Sequence, residues 1–204
     1  MTAAHAARRT ATVRRVFFVL GVTLAAATHA QTRSGDPKQG AVKAAACAAC
    51  HGPDGSAPLA GLPALSGQQR EFLELQMILL REGLRDVPAM AGMLNTYSDR
   101  DLADLAAYFS ATPPFTARGD RDAQRYALGQ SLSAAMGCGS CHMGTYTGQR
   151  QVPRIINQRE DYLVSALKAY RDNRRSGTDT SMNAVMYQSS DTDITALAHY
   201  LSHQ

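Results

Sequence analysis

From Gln68 to Gly83 apolar residues recur at 72, 73, 75, 77, 79 and 80, among others, with a glycine at the end. That is the spacing of a helix with one buried face, stopped where glycine can take the left-handed conformation of a C-terminal cap. Ser98-Asp99-Arg100-Asp101 and Ser190-Asp191-Thr192-Asp193 each place acids behind a capping serine, which predicts a helix of about a dozen residues after each. Shorter helices are expected near 36–47 and 120–136, where Gly40 and Gly129 could let helices cross closely. Thr112-Pro113-Pro114-Phe115 cannot continue a helix and makes a short, stiff connection. The fold class is all-α.

The first thirty residues follow a different pattern. Arg8, Arg9, Arg14 and Arg15 precede the apolar run Val16 to Ala27, which is too short to cross about 30 Å of hydrocarbon comfortably and ends in small residues at Ala30. A cleaved export signal over 1–30 is the expectation, by the general or the twin-arginine route, and export would place the mature chain in the periplasm. The chain has 204 residues, 45% hydrophobic and 19% charged, with a formal net charge of +4. The four leader arginines account for that excess, so a nucleic-acid partner is not expected, because neutralising phosphates needs clustered positive charge.

An exported chain with four cysteines would ordinarily suggest two disulfides. The spacing says otherwise: Cys47-Ala48-Ala49-Cys50-His51 and Cys138-Gly139-Ser140-Cys141-His142 use every cysteine in two copies of C-x-x-C-H. Two thiols three positions apart reach the two vinyl groups on one edge of a porphyrin, and the next residue then offers its imidazole to the iron. Structural zinc sites do not need a histidine after each pair, and a thioredoxin-like pair needs a βαβ context. The motifs therefore imply two covalently bound haem c groups, attached through Cys47, Cys50, Cys138 and Cys141, with His51 and His142 on the iron.

Laid over one another, the motifs expose an internal duplication. Pro63 to Gln68, Phe72-Leu73 and Arg85 fall without a gap on Pro153 to Gln158, Tyr162-Leu163 and Arg175. Tyr108 and Tyr200 each stand ten residues after the capping serine. The expected organisation is a first domain over 31–112, a linker over 113–118 and a second domain over 119–204.

Methionine is the leading partner for the second face of each iron, because a thioether favours ferrous iron and closes the coordination sphere. The loops offer Met90 or Met93 in the first half and Met182 or Met186 in the second. Met90 and Met182 share an eight-residue offset to the capping serine, which favours them, whereas Met93 and Met186 do not share one. Met77 lies in the apolar helix and reads as core, Met136 lies too near the attachment site, and Met143 stays on the proximal side. His199 and His203 read as surface residues of the last helix.

The two motifs, Pro63-x-Leu65-x-Gly67-Gln68 with its aromatic four residues on, the Gly83-x-Arg85 turn and Met90-Ala91-Gly92-Met93-Leu94 ahead of Ser98-Asp99 together resemble the cytochrome c4 family over nearly all of the mature chain. The resemblance implies two tandem class I cytochrome c domains, two His/Met haems and single-electron transfer in the periplasm to terminal oxidases. The implied donor is a membrane cytochrome complex or a dehydrogenase, with any membrane association through such partners, and no catalytic residue is expected. A subunit of a periplasmic dehydrogenase complex, or a haem enzyme with an open iron, are the alternatives. The second half departs from the pattern at Asn157, at Ser189 and in two extra residues between Arg175 and Met182.

Overall fold

The computed structural model describes residues 35–116 and 119–204; the expected export signal over 1–30 lies outside the described residues. These residues are helical, with a single isolated bridge between Gln149 and Val152 and no strand among them. In the first half, α1 (Pro37–Lys43) runs through a 3-10 turn (Ala44–Cys47) into α2 (Ala48–His51), followed by α3 (Arg70–Arg81) and α4 (Asp99–Ala111). The second half repeats this as α5 (Ala123–Ala135), α6 (Cys138–His142), α7 (Glu160–Arg171) and α9 (Asp191–Ser202), with one additional helix, α8 (Ser181–Met186), before α9.

The helix boundaries have visible causes. Ser98 and Ser190 each form a complete capping box, accepting from the N–H three residues on while that aspartate accepts from the serine N–H. The turns after α3 and α7 are superimposable in their bonding: the N–H groups of Leu84 and Arg85 donate to Leu79, and those of Arg174 and Arg175 donate to Ala169. Gly83 and Asn173 supply the left-handed residue there, at φ 68° and 52°. Asn157, which replaces the expected glycine, takes φ 57° against 63° at Gly67, a conformation asparagine tolerates.

Each half closes by crossing its first helix over its last. A Cβ at Gly40 would overlap the Asp104 carbonyl, and one at Gly129 would overlap the Ala196 carbonyl, so the close approach expected from the two glycines is present in both. The cores sit beneath these crossings. Leu73, Leu94, Leu102, Leu105 and Phe109 fill the first, with Met77 packed against it. Leu163, Leu167, Met186, Ile194 and Leu197 are among the residues that fill the second.

The halves meet through reciprocal hydrogen bonds that obey a local two-fold relation. The Gln68 side chain accepts from the Arg154 N–H (2.7 Å) and donates to the Arg154 carbonyl (2.9 Å). Its counterpart Gln158 does the same to Ala64, at 2.9 Å in both directions. One residue further, Gln69 donates to the Thr147 carbonyl at 2.8 Å and Arg159 donates to the Ala57 carbonyl at 2.8 Å. Buried amides that each satisfy both a donor and an acceptor fix orientation as well as contact. Pro114 joins this interface, packing directly over Gly67.

Two candidate haem sites

Each C-x-x-C-H segment is a single helical turn, which places the two thiols on one side and the histidine at its end. Cys47 and Cys138 are half-buried, Cys50 and Cys141 are exposed, and all four are free thiols rather than disulfides. Burial pushes the Cys47 thiol up from its ordinary value.

His51 and His142 are buried, and each Nδ1 lies against a backbone carbonyl: Pro63 at 3.2 Å for His51, Pro153 at 2.9 Å for His142. The carbonyl fixes the proton on Nδ1 and leaves the Nε2 lone pair for a metal. Burial lowers both imidazoles below their ordinary value, which favours the neutral form that can ligate. The prolines that begin the duplicated Pro63 and Pro153 segments are thus the residues that orient the histidines.

The methionine loops differ in shape. Met90 ends a 3-10 turn (Pro88–Met90) and packs half-buried on the first core, while Met93 is 53% exposed. The two extra residues of the second half allow α8, on which Met182 packs half-buried on the second core. Met186 is 1% exposed inside that core. Counted back from the capping serines, Met186 stands where Leu94 stands in the first half, and both are buried core residues. Met93 stands where Val185 does, and both are exposed.

A cluster that the sequence marked only by repetition lies where the halves meet. Arg85 donates to the Gln76 amide oxygen at 2.7 Å, and Arg175 donates to the same oxygen at 3.4 Å and to the Tyr162 hydroxyl at 3.2 Å. No carboxylate bonds either guanidinium among the described residues, and the Nε–H of each is buried without an acceptor. Burial and the neighbouring Arg175 hold Arg85 below its ordinary value. Two half-buried cations side by side, each with a buried and unspent Nε–H, favour an anionic partner. Haem carries carboxylate side chains, so the residues present fit the two groups that the C-x-x-C-H segments imply; Arg85, Arg175 and Tyr162 would hold those carboxylates. The signal available in sequence was the arginine repeated at one place in both halves.

One expectation is corrected. His199 is not a surface residue: it is 2% exposed, with Nδ1 at 3.0 Å from Glu160 and Nε2 accepting from the Asp122 N–H at 2.9 Å. Both ring nitrogens are therefore engaged in tying α9 to α7 and to the start of α5. Met143, directly after His142, is exposed.

Two similar all-helical halves, each presenting paired thiols and a carbonyl-anchored neutral histidine, define a dihaem c-type cytochrome. Residues 36–109 match the family model described as cytochrome C oxidase, cbb3-type, subunit III, and residues 126–204 match the cytochrome c model. The chain is 33% identical to cytochrome c4 of Pseudomonas aeruginosa over 91% of its own length and 96% of that protein. A crystal structure of reduced recombinant cytochrome c4 from Pseudomonas stutzeri superposes with a TM-score of 0.75 at 33% identity, covering 82% of this chain and 98% of that one. A thiosulfate dehydrogenase electron acceptor from Thiomonas intermedia is 30% identical over 79% of this chain and 80% of its own. The chain belongs to the cytochrome c4 family; it is a dihaem electron-transfer cytochrome with two covalently bound haem c groups. No helix among the described residues is long and apolar enough to cross a membrane.

Proposed function

We propose that the chain is a periplasmic relay that accepts single electrons from a membrane cytochrome complex or a dehydrogenase and delivers them to a terminal oxidase. Bound haem iron supplies reversible one-electron chemistry; the protein holds, closes and orients it. His51 and Met90 are the axial ligands in the first domain (31–112), and His142 and Met182 in the second (119–204), joined by a linker over 113–118. The observation that carries the ligand assignment is the register of the methionines. Met186 and Leu94 are spent on equivalent core positions and Met93 and Val185 on equivalent exposed ones, so Met90 and Met182 remain as the matched, half-buried pair. With both irons closed, no substrate binds to them, and the protein works by tuning potentials and presenting a surface to partners.

Residues 31–115 hold 7 Lys or Arg against 9 Asp or Glu, and residues 116–204 hold 10 against 8. Opposite net charge on the two halves supports docking of donor and acceptor at different ends. A second reading, electron acceptor of a periplasmic dehydrogenase, is supported by the likeness to the Thiomonas intermedia protein.

The deciding experiment is a visible spectrum of the reduced protein with and without carbon monoxide, in wild type, Met90→Ala and Met182→Ala. Wild type is expected to carry two haems per chain and ignore carbon monoxide. Each variant is expected to bind it at one haem and to lower that haem's potential. Binding in wild type would reopen the enzyme reading, and an unaltered Met90→Ala would move the ligand to Met93.

A further inference from the structure

Arg85 and Arg175 are equivalent by duplication, yet the groups around them are not. Where the second half has Tyr162 and Ala166, the first has Phe72 and Gln76. The Gln76 amide oxygen accepts from both arginines, so the first half contributes a shared acceptor. The second half contributes a hydroxyl that accepts from Arg175 and whose own proton is given to no acceptor among the described residues. Burial alone would raise the Tyr162 phenol, but the two guanidiniums prevail and hold it below its ordinary value, which makes it a stronger hydrogen-bond donor.

We propose that Tyr162 is the residue that makes the two haems unequal: its hydroxyl adds a third donor, present on one side only, to the pair of unspent arginine N–H groups that hold the haem carboxylates at the junction of the halves. This rests on the dihaem reading above. The oxidised iron has one more positive charge than the reduced iron, so an unshared carboxylate nearby favours oxidation. A donor that shares that carboxylate's charge favours reduction instead. An asymmetric donor therefore raises one potential relative to the other, and gives the electron a preferred resting site within an otherwise two-fold scaffold. Tyr162 acts as a positioning residue, through the carboxylate rather than through the iron.

The test uses full-length holoprotein in two conservative variants, each copying one half into the other: Tyr162→Phe and Phe72→Tyr. Both potentials are read by spectroelectrochemical titration, alongside haem content and the carbon monoxide spectrum. In Tyr162→Phe one haem is expected to fall in potential while the other moves little. The equilibrium constant for sharing an electron between them should change on the order of fivefold, the effect of one hydrogen bond. In Phe72→Tyr the added hydroxyl should raise one haem's potential. Equal shifts of both haems, or none, would overturn the proposal, as would loss of a haem from Tyr162→Phe, which would make the residue structural. Carbon monoxide binding by wild type would instead strike the closed-iron reading and leave the potential difference between variants as an independent measure of Tyr162.

Discussion

In the first half Phe109 lies across Gly55, so close that a Cβ there would meet the ring at 2.8 Å. In the second half the corresponding positions hold Leu201 and Tyr146, and the tyrosine occupies the space that the smaller leucine releases, stacked edge-on to Tyr200 at 5.8 Å. The backbone bonds around this exchange are the same: Leu65 and Ser66 donate to Gly55, and Ile155 and Ile156 donate to Tyr146. A second exchange lies at the helix crossing. Lys43 of α1 bridges Asp101 and the buried Asp104 of α4, whereas the equivalent positions on α5 and α9 hold Leu132, Asp193 and Ala196. Duplicated halves thus keep the hydrogen bonds that set the backbone, and diverge in the side chains that fill the space between the elements.

The largest effect should come from the feature that both halves keep. Gly40→Val and Gly129→Val each push a side chain into a backbone carbonyl, which cannot move aside as a flexible side chain could. Each is expected to destabilise by about 3 kcal/mol, the upper range for overpacking, and to lower Tm by roughly 10 °C. Thermal melts followed by far-UV circular dichroism check this, and a loss in only one of the two variants would break the equivalence of the crossings.

The next effect belongs to one half alone. Burial works against the Asp104 carboxylate, but Lys43, the Asp36 N–H and Arg100 hold it below the usual carboxylate range. A depressed carboxylate contributes stability that is present above pH ~4 and fades as the pH falls through its lower folded value. Asp104→Asn should therefore cost about 2 kcal/mol at neutral pH, and the gap to wild type should close in acid. Urea unfolding at pH 7 and below pH 4 measures both. A pH-independent gap would assign the loss to packing and make the two crossings more alike than their residues suggest.

What could be read in advance was whatever repeats at short range. The capping serines, the helix of α3, the two crossing glycines and the histidine motifs are local signals, and duplication doubled each of them. The haem side of the site was legible for the same reason, since two thiols and a histidine act within one helical turn. The junction was not. Gln68 and Gln158 were visible as aligned residues, but that each amide closes on the other half's backbone depends on contacts spanning about ninety positions. His199 was misread because a histidine on the last helix is more often exposed than buried; only the packing of α5 and α7 against α9 encloses it. The unspent Nε–H groups of Arg85 and Arg175 have no local signature, and although Phe72 and Tyr162 differ in the aligned halves, that the hydroxyl meets Arg175 is set by packing alone.

The smallest effect is the most direct test of whether the halves share one backbone. Met143 has φ 68° and ψ 153°, a region that glycine occupies readily and other residues at a cost of about 1–3 kcal/mol, and its counterpart Gly52 has nearly the same angles, φ 77° and ψ 158°. The Met143 side chain is 41% exposed, so its packing returns only part of that cost. Met143→Gly relieves the strain but gives the unfolded chain more freedom, which offsets roughly 0.5–1 kcal/mol. The net expectation is a gain of about 1 kcal/mol with an unchanged haem spectrum. The reverse substitution, Gly52→Ala, should lose about as much, because its Cβ would also meet Pro58 and Ser56 at 3.1 and 3.2 Å. Opposite signs at equivalent positions mean that the turn after each histidine is imposed by the duplicated scaffold and that methionine is the tolerated intruder. A loss of stability in Met143→Gly would mean that the side chain has contacts outweighing its strain, and at this turn the second half would have become a structure of its own.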